Sequence, residues 1–275
     1  MDAAVMSRSS RPRVRAGLIG FGFIGSQVYR RLTAEPEHGI DVAFVHNRHR
    51  ARIQSVPAGL VLDDLGAMSE RAPDLVVEMA HPDFTRTWGE TILGLADYLP
   101  LSVTALADDG LMERLQMRAA TCGTRLLIPH GALMGTDNLI ESRAAWQEVE
   151  ITFIKNPVNI DFSDSGFDPA RVVEETVIYD GPVRAIAAIF PRNVNTMVTC
   201  ALATIGLDRC RARLIGRPGI DFAIVAVRAR GHDGSVLEMR KQQPMAGVSG
   251  TEMFESQFHS ILRAARTGAD RKSVG

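Results

Sequence analysis

Residues 14–25, VRAGLIGFGFIG, decide how the rest of the chain is read. A short apolar run at 16–19 leads into Gly20-Phe21-Gly22-Phe23-Ile24-Gly25, and residues 26–32 continue with helical periodicity. This is G-x-G-x-x-G at the junction of a strand and a helix. Gly20 permits the tight turn, Gly22 admits a pyrophosphate to the backbone, and Gly25 lets helix and strand pack closely. The free N–H groups of the helix start then face the anion. The stretch predicts a dinucleotide cradle lined by Gly20, Gly22, Phe23, Ile24 and Gly25; the bland alternative is a purely structural βα turn.

The chain after the glycines alternates short apolar runs with amphipathic segments. Strands are expected at 41–45 (DVAFV), 74–79 (DLVVEM), 101–106 (LSVTAL) and 124–128 (TRLLI), with helices at 85–95 and 111–122 between them. That alternation predicts an α/β fold, an N-terminal Rossmann domain with a doubly wound parallel sheet. Ligands of such sheets bind beyond the carboxyl ends of the strands. Ala80, His81, Ala105 and Ala132 therefore stand where a nicotinamide wall is expected. At the end of the second strand an acid would hold the ribose 2′-hydroxyl of NAD, whereas an Arg accommodates a 2′-phosphate. Asn47 and Arg48 occupy that place, which favours NADP over NAD or use of both; otherwise Arg48 and Arg50 are a solvated loop.

From residue 133 the pattern changes, and 133–245 reads as a second, α+β domain for substrate and oligomerisation. Residues 149–154 (VEITFI) alternate as a half-buried strand, after a helix at 136–146. Residues 172–179 are ambiguous, Asp180-Gly181-Pro182 is a turn signal, and 183–189 is helix or strand. A helix at 196–204 is expected to start near a capping Asn193 or Asn195. Strands follow at 211–215, 223–230 and 236–241, with Gly231–Gly234 as the turn between the last two. The last helix, 252–265, is expected to return to the first domain, so that 13–132 is completed by 246–268. Residues 1–12, rich in Arg and Ser, read as a disordered basic tail.

Bulk properties exclude several classes. The net charge of −1 argues against nucleic acid or an anionic membrane as partner. No apolar run approaches the ~18 residues of a membrane span. Cys122, Cys200 and Cys210 form no C-x-x-C pair and no ligand cluster with His, so no metal site is expected, and a reducing cytoplasm is the default location.

Several segments together resemble the L-aspartate dehydrogenase family, including its animal aspartate-dehydrogenase-domain members. They are GLIGFGFIG, VEMAHP, SVTALAD, PHGALMG and above all YDGPVRAIAAIFPRNVNTMVTCALATIGLDRCR, with its Phe190-Pro191-Arg192-Asn193-Val194-Asn195 block. The resemblance runs from about residue 15 to residue 265. It implies an NAD(P)-dependent oxidoreductase acting on CH–NH2 donors, which interconverts L-aspartate with iminosuccinate or oxaloacetate and ammonia. In some relatives the imine feeds NAD biosynthesis. Ala132 and Asn195 would lie against the cofactor, with Arg192 and Asn193 near the substrate, in a homo-oligomer such as a dimer.

The family's catalytic His falls, by the same resemblance, on Asp221-Phe222-Ala223, so that Ala223 stands where the imidazole should be. No His lies between His130 and His232. Two groups could stand in. His130 follows the fifth strand and is either a proton donor or a loop histidine bonded to backbone. Lys155 ends the strand of the second domain and is an acid, a carboxylate ligand or a surface lysine. Arg192 is either a carboxylate clamp or a cofactor-phosphate ligand. The alternatives to aspartate dehydrogenase are a reductase of another imino or oxo acid supplied by a partner enzyme, and a non-catalytic NAD(P)-binding sensor or subunit.

Overall fold

The computed structural model describes residues 13–246, 249–250, 252 and 253–272, so the tail expected at 1–12 lies outside the described residues. The first half of the chain runs β1 (Val14–Ile19), α1 (Phe23–Ala34), β2 (Ile40–His46), β3 (Leu75–Glu78), α2 (Pro82–Leu93), β4 (Asp97–Pro100) and α3 (Asp109–Cys122). Its four strands are all parallel, in the order β2-β1-β3-β4. The period-2 alternation of each strand divides two cores. Leu18, Val45, Val77 and Leu99 face one side with Val28 and Leu32 of α1. Ile19, Phe44, Val76 and Tyr98 face the other with Ile92 and Leu115 of α2 and α3. A sheet buried on both faces is the doubly wound arrangement expected.

Two strand assignments are corrected. LSVTAL is no strand: β4 is the preceding DYLP, and residues 103–107 form a 3-10 turn. Tertiary bonds override the β-branched run here, because Thr104 N donates to Asn195 Oδ1 (3.1 Å) and Thr104 Oγ1 to the Pro191 carbonyl (2.8 Å). TRLLI contributes only a single bridge, Tyr98 to Leu126, held by Tyr98 N to Arg125 O and Leu127 N to Tyr98 O, both 2.8 Å.

The second half runs α4 (Thr136–Glu141), β5 (Trp146–Lys155), β6 (Thr176–Pro182), α5 (Val183–Ile189), α6 (Asn195–Ala203), β7 (Arg211–Gly216), β8 (Phe222–Gly231), β9 (Val236–Ala246), β10 (Ser249–Gly250) and α7 (Met253–Lys272). Six strands form one mixed sheet in the order β10-β9-β8-β5-β7-β6, in which β5 and β7 are parallel and the other pairs antiparallel. Asp180-Gly181-Pro182 is the end of β6 rather than a turn, since the three residues pair there with Arg213, Ala212 and Arg211 of β7. The helix expected to reach 146 stops at Glu141, and Trp146 begins β5 with its Nε1 bonded to the Leu139 carbonyl (3.0 Å).

α7 returns to the first sheet, as expected. Phe258 and Ile261 are fully buried against it, each burial worth about 1.5–3 kcal/mol. Arg31 of α1 lies 4.3 Å over the Phe258 ring and pairs with Glu255 at 2.8 Å. Among the described residues no helix is long and apolar enough to cross a membrane.

Candidate active site

β1 ends at Ile19 and the chain turns through Gly20 at φ +91°, where a Cβ would meet the Met79 carbonyl at 2.6 Å. Gly22 follows as the residue capping α1, and a Cβ there would meet nothing within 4 Å. A Cβ on Gly25 would collide with the Gly20 carbonyl. Each glycine thus does what its place in the motif demands: left-handed turn, open cradle, close packing. The first turn of α1 holds no acidic residue and its cap no side-chain bond, so the N–H groups there are left for an anion.

The cradle opens on a cavity of about 440 Å³ between the two sheets. Phe23 and Ile24 form its rim beside the glycine turn, and Phe23 is 66% exposed. Met79, Ala80, His81 and Ser102 come from the carboxyl ends of β3 and β4. Ala132, Asn195, Thr196 and Gln257 bring in α6 and α7. The opposite wall is the second sheet: Phe153 and Lys155 of β5, Ala223 and Val225 of β8, and Gln243 and Met245 of β9. Pairings of Phe153 with Val225 and of Ala223 with Gln243 set these side chains on one face.

Buried polar groups fix the near wall. Glu78, fully buried at the end of β3, accepts from Ala80 N (2.6 Å), Ser102 Oγ (2.9 Å) and Ser102 N (3.1 Å). Burial raises its pKa against the pull of those N–H donors. It ties together the two loops that border the cavity, a role that nothing in VVEM announces. Thr196 Oγ1 accepts from Ala132 N at 3.2 Å. Gln257 is 6% exposed, and its Oε1 has no hydrogen-bond partner among the described residues. A buried acceptor left open on the Rossmann side fits the amide of a nicotinamide, and with the open Gly22 cradle the residues suit a dinucleotide.

Lys155 is the strongest perturbed group of the cavity. It is 6% exposed, with Nζ 5.2 Å from the centre of the Phe153 ring, and burial lowers its pKa from 10.5 to about 8. That brings an amine into the range in which it can gain and lose protons near neutral pH.

The structure gathers Ala80, His81, Ala132, Lys155, Arg192, Asn193, Asn195 and Ala223 around this cavity. Asn47, Arg48, Ala105 and His130 are outside the lining. Asn47 has a different task, since its Oδ1 accepts from Phe21 N (3.0 Å) and its Nδ2 donates to the His49 carbonyl (2.8 Å), which braces the glycine turn. Arg48 stays exposed beyond β2, and Ala105 is buried in the 3-10 turn. His130 packs toward α7, its N–H on Ser260 Oγ at 3.2 Å, and burial with the nearby Arg263 lowers its pKa.

The sequence suggests Asn193 or Asn195 as the cap of α6, but neither serves; Val194 holds the cap position without a side-chain bond. Asn195 instead holds the 3-10 turn through Thr104. Asn193 clasps Asp161, accepting its N–H at 2.9 Å and donating to its carbonyl at 2.7 Å. Arg192 pairs with the Asp161 carboxylate at 2.8 Å, so part of its fork already grips an internal acid. On β8 the cavity-facing positions are Ala223 and Val225, which leaves no imidazole on that strand whichever of the two is compared. Gln243, Gln257, Thr196 and Glu78 are contributions that sequence patterns did not reveal.

Among known proteins, residues 20–129 match the family described as homoserine dehydrogenase, NAD binding domain, and residues 137–251 match aspartate dehydrogenase, C-terminal. The chain is 33% identical to an aspartate dehydrogenase domain-containing protein of Xenopus tropicalis, over 92% of this chain and 95% of that one. It is 34% identical to L-aspartate dehydrogenase 2 of Bordetella pertussis, over 95% and 99% of the two. The crystal structure of aspartate dehydrogenase from Thermotoga maritima superposes with a TM-score of 0.71 at 25% identity, covering 93% of this chain and 96% of that one. With both halves matched and near-complete coverage of its relatives, the chain belongs to the aspartate dehydrogenase family.

Proposed function

We propose that this protein is an NAD(P)-dependent dehydrogenase of an amino dicarboxylate, L-aspartate or a close analogue, and of its imino acid. One observation carries the reading: the glycine cradle opens on a cavity whose far wall presents a buried lysine of lowered pKa. When bound, a nicotinamide supplies the hydride chemistry. The chain supplies the rest. Gly20, Gly22 and the start of α1 receive the diphosphate; Ala132, Asn195 and Gln257 border the ring; Arg192 and Asn193 approach the substrate carboxylates. Lys155 exchanges the proton that the substrate nitrogen gains on reduction and loses on oxidation. NADP is the favoured partner, because the end of β2 offers Arg48 and no acid.

The apolar face of β8 favours a second form of the same chemistry. Addition of water or ammonia to a carbon–nitrogen double bond needs a proton-trading group close to that carbon, and Ala223 and Val225 provide none. A chain so equipped suits an imine delivered ready-made by a partner enzyme. The direct test is loss of absorbance at 340 nm with NADPH or NADH, oxaloacetate and ammonium. Steady oxidation in the presence of ammonium is expected of the first form, and little or none of the second. No loss at any pH from 6 to 10 would remove oxaloacetate and ammonia as the substrate pair.

A further inference from the structure

Of the 31 Lys and Arg residues in the chain, three are Lys: Lys155, Lys241 and Lys272. Lys241 forms an ion pair with Glu252. Lys155 is instead buried on the cavity wall at the end of β5, among Phe153, Ala223 and Val225. A cation meant only to grip carboxylates is better made from Arg, which stays charged at any working pH, whereas a buried Lys can shed its proton. With its pKa brought down to about 8 by burial, the side chain is about half free amine at that pH. A desolvated free amine in an apolar pocket is a nucleophile toward carbonyl carbon.

In the proposed reaction Nζ stands within hydrogen-bonding reach of the substrate nitrogen, hence beside the carbon that carries it. When the oxo acid enters without ammonia, that carbon is a ketone, and the Lys155 amine is the nucleophile beside it. We propose that Lys155 condenses with the ketone of 2-oxo dicarboxylates, and that the protein thereby decarboxylates those whose second carboxylate is β to the ketone, oxaloacetate being the simplest. This rests on the function proposed above and adds to the same cavity a second activity that consumes no nucleotide.

The steps balance without an oxidant or reductant. Nζ attacks the ketone carbon, and the oxygen leaves as water with one amine hydrogen and one proton from solvent. The resulting iminium draws the electron pair of the bond between C3 and C4, which breaks to release CO2 and leave an enamine. C3 takes a proton from solvent, and water then adds to the iminium carbon. The C–N bond breaks, pyruvate departs, and the free amine and one proton are restored. The wall of Ala223 and Val225 offers a carboxylate no counter-charge, a surface that favours neutral CO2 over the ion from which it forms.

The test is incubation of the full chain with oxaloacetate, and separately with pyruvate, without nucleotide and with EDTA to suppress decarboxylation by metal ions. Pyruvate should form from oxaloacetate faster than in buffer alone. Sodium cyanoborohydride should trap either oxo acid as a secondary amine, which peptide mass spectrometry assigns to Lys155. Both signals should be lost in Lys155→Arg and Lys155→Met. Melting curves report whether these variants fold, and the wild-type adduct is decisive without them. No adduct on Lys155, no pyruvate above the buffer rate, or pyruvate formation that survives in folded Lys155→Arg would each overturn the inference. A chain that oxidises NADPH with oxaloacetate and ammonium but forms no adduct loses this activity alone. One that forms the adduct but binds neither nucleotide loses the proposed function alone.

Discussion

Replacing Lys155 with Met is expected to lower kcat by about 10²–10⁴-fold, the range lost with a general acid or base. Affinity for NADPH should change little, since Lys155 lies on the wall across from the glycine cradle. The pH profile distinguishes proton exchange from mere positioning. With a pKa of about 8, the ammonium form dominates below that value and the free amine above it. Reduction of the imino acid consumes a proton and should slow as pH rises through about 8. Oxidation of the amino acid releases one and should accelerate over the same interval. Lys155→Arg keeps the charge but cannot give up its proton near neutrality, so its residual rate should lose this inflection. An unchanged inflection in that variant would assign the titration to another group.

The same burial carries a stability consequence of definite sign. The folded pKa of Lys155 is about 8 against an ordinary 10.5, so between those values the unfolded chain binds more protons than the folded one. Stability from this group therefore rises with pH across that window. Below it both states are protonated and the cost of burying the charge is fully present, roughly 3 kcal/mol for a depression of this size. Lys155→Met should accordingly resist urea better than the wild type at pH 7, with the advantage gone above pH 10.5. Loss of activity combined with gain of stability is the pattern of a site residue held against its own folding preference.

Gly22→Asp is expected to abolish dinucleotide binding while sparing the fold. Gly22 has φ −79° and ψ −156°, open to any residue, and a Cβ there meets nothing within 4 Å. Asp at a helix N-cap is worth only roughly a few tenths of a kcal/mol over the Gly it replaces, so the melting temperature should hold or rise slightly. The carboxylate would occupy the N–H groups of α1 and oppose the diphosphate. Two like charges about 4 Å apart at a protein surface interact by about 4 kcal/mol, which corresponds to about a 10³-fold weaker Kd. Binding within tenfold of wild type, followed by nucleotide fluorescence, would place the diphosphate elsewhere. The contrast with Gly25 is instructive, because a side chain there collides with the Gly20 carbonyl and should damage the fold itself.

Local features were legible in the sequence, and features made by tertiary contact were not. The glycine turn is set by backbone sterics within six residues, so its spacing suffices. The alternation in VEITFI likewise exposes β5 and puts Lys155 at its end. β4 was hidden because DYLP contains two residues disfavoured in strands. Its Asp97 is taken up by Arg125, at 2.6 Å, and Pro100 ends the strand. LSVTAL looked like a strand because β-branched and apolar residues signal burial of any kind; the burial here is against α6. Gln243 lies in KQQPM, which reads as solvent-facing until β8 and the cavity are in place beside it. Topology alone puts His130 beside the site, but its loop turns toward α7.

Calorimetric titration of the full wild-type chain with NADPH and with NADH tests the account at its foundation, the seating of a dinucleotide on the turn from Gly20 to Gly25. Saturable heat with one nucleotide per chain is expected, NADPH binding tighter because Arg48 and no acid follows β2. Flat titrations with both nucleotides would contradict it.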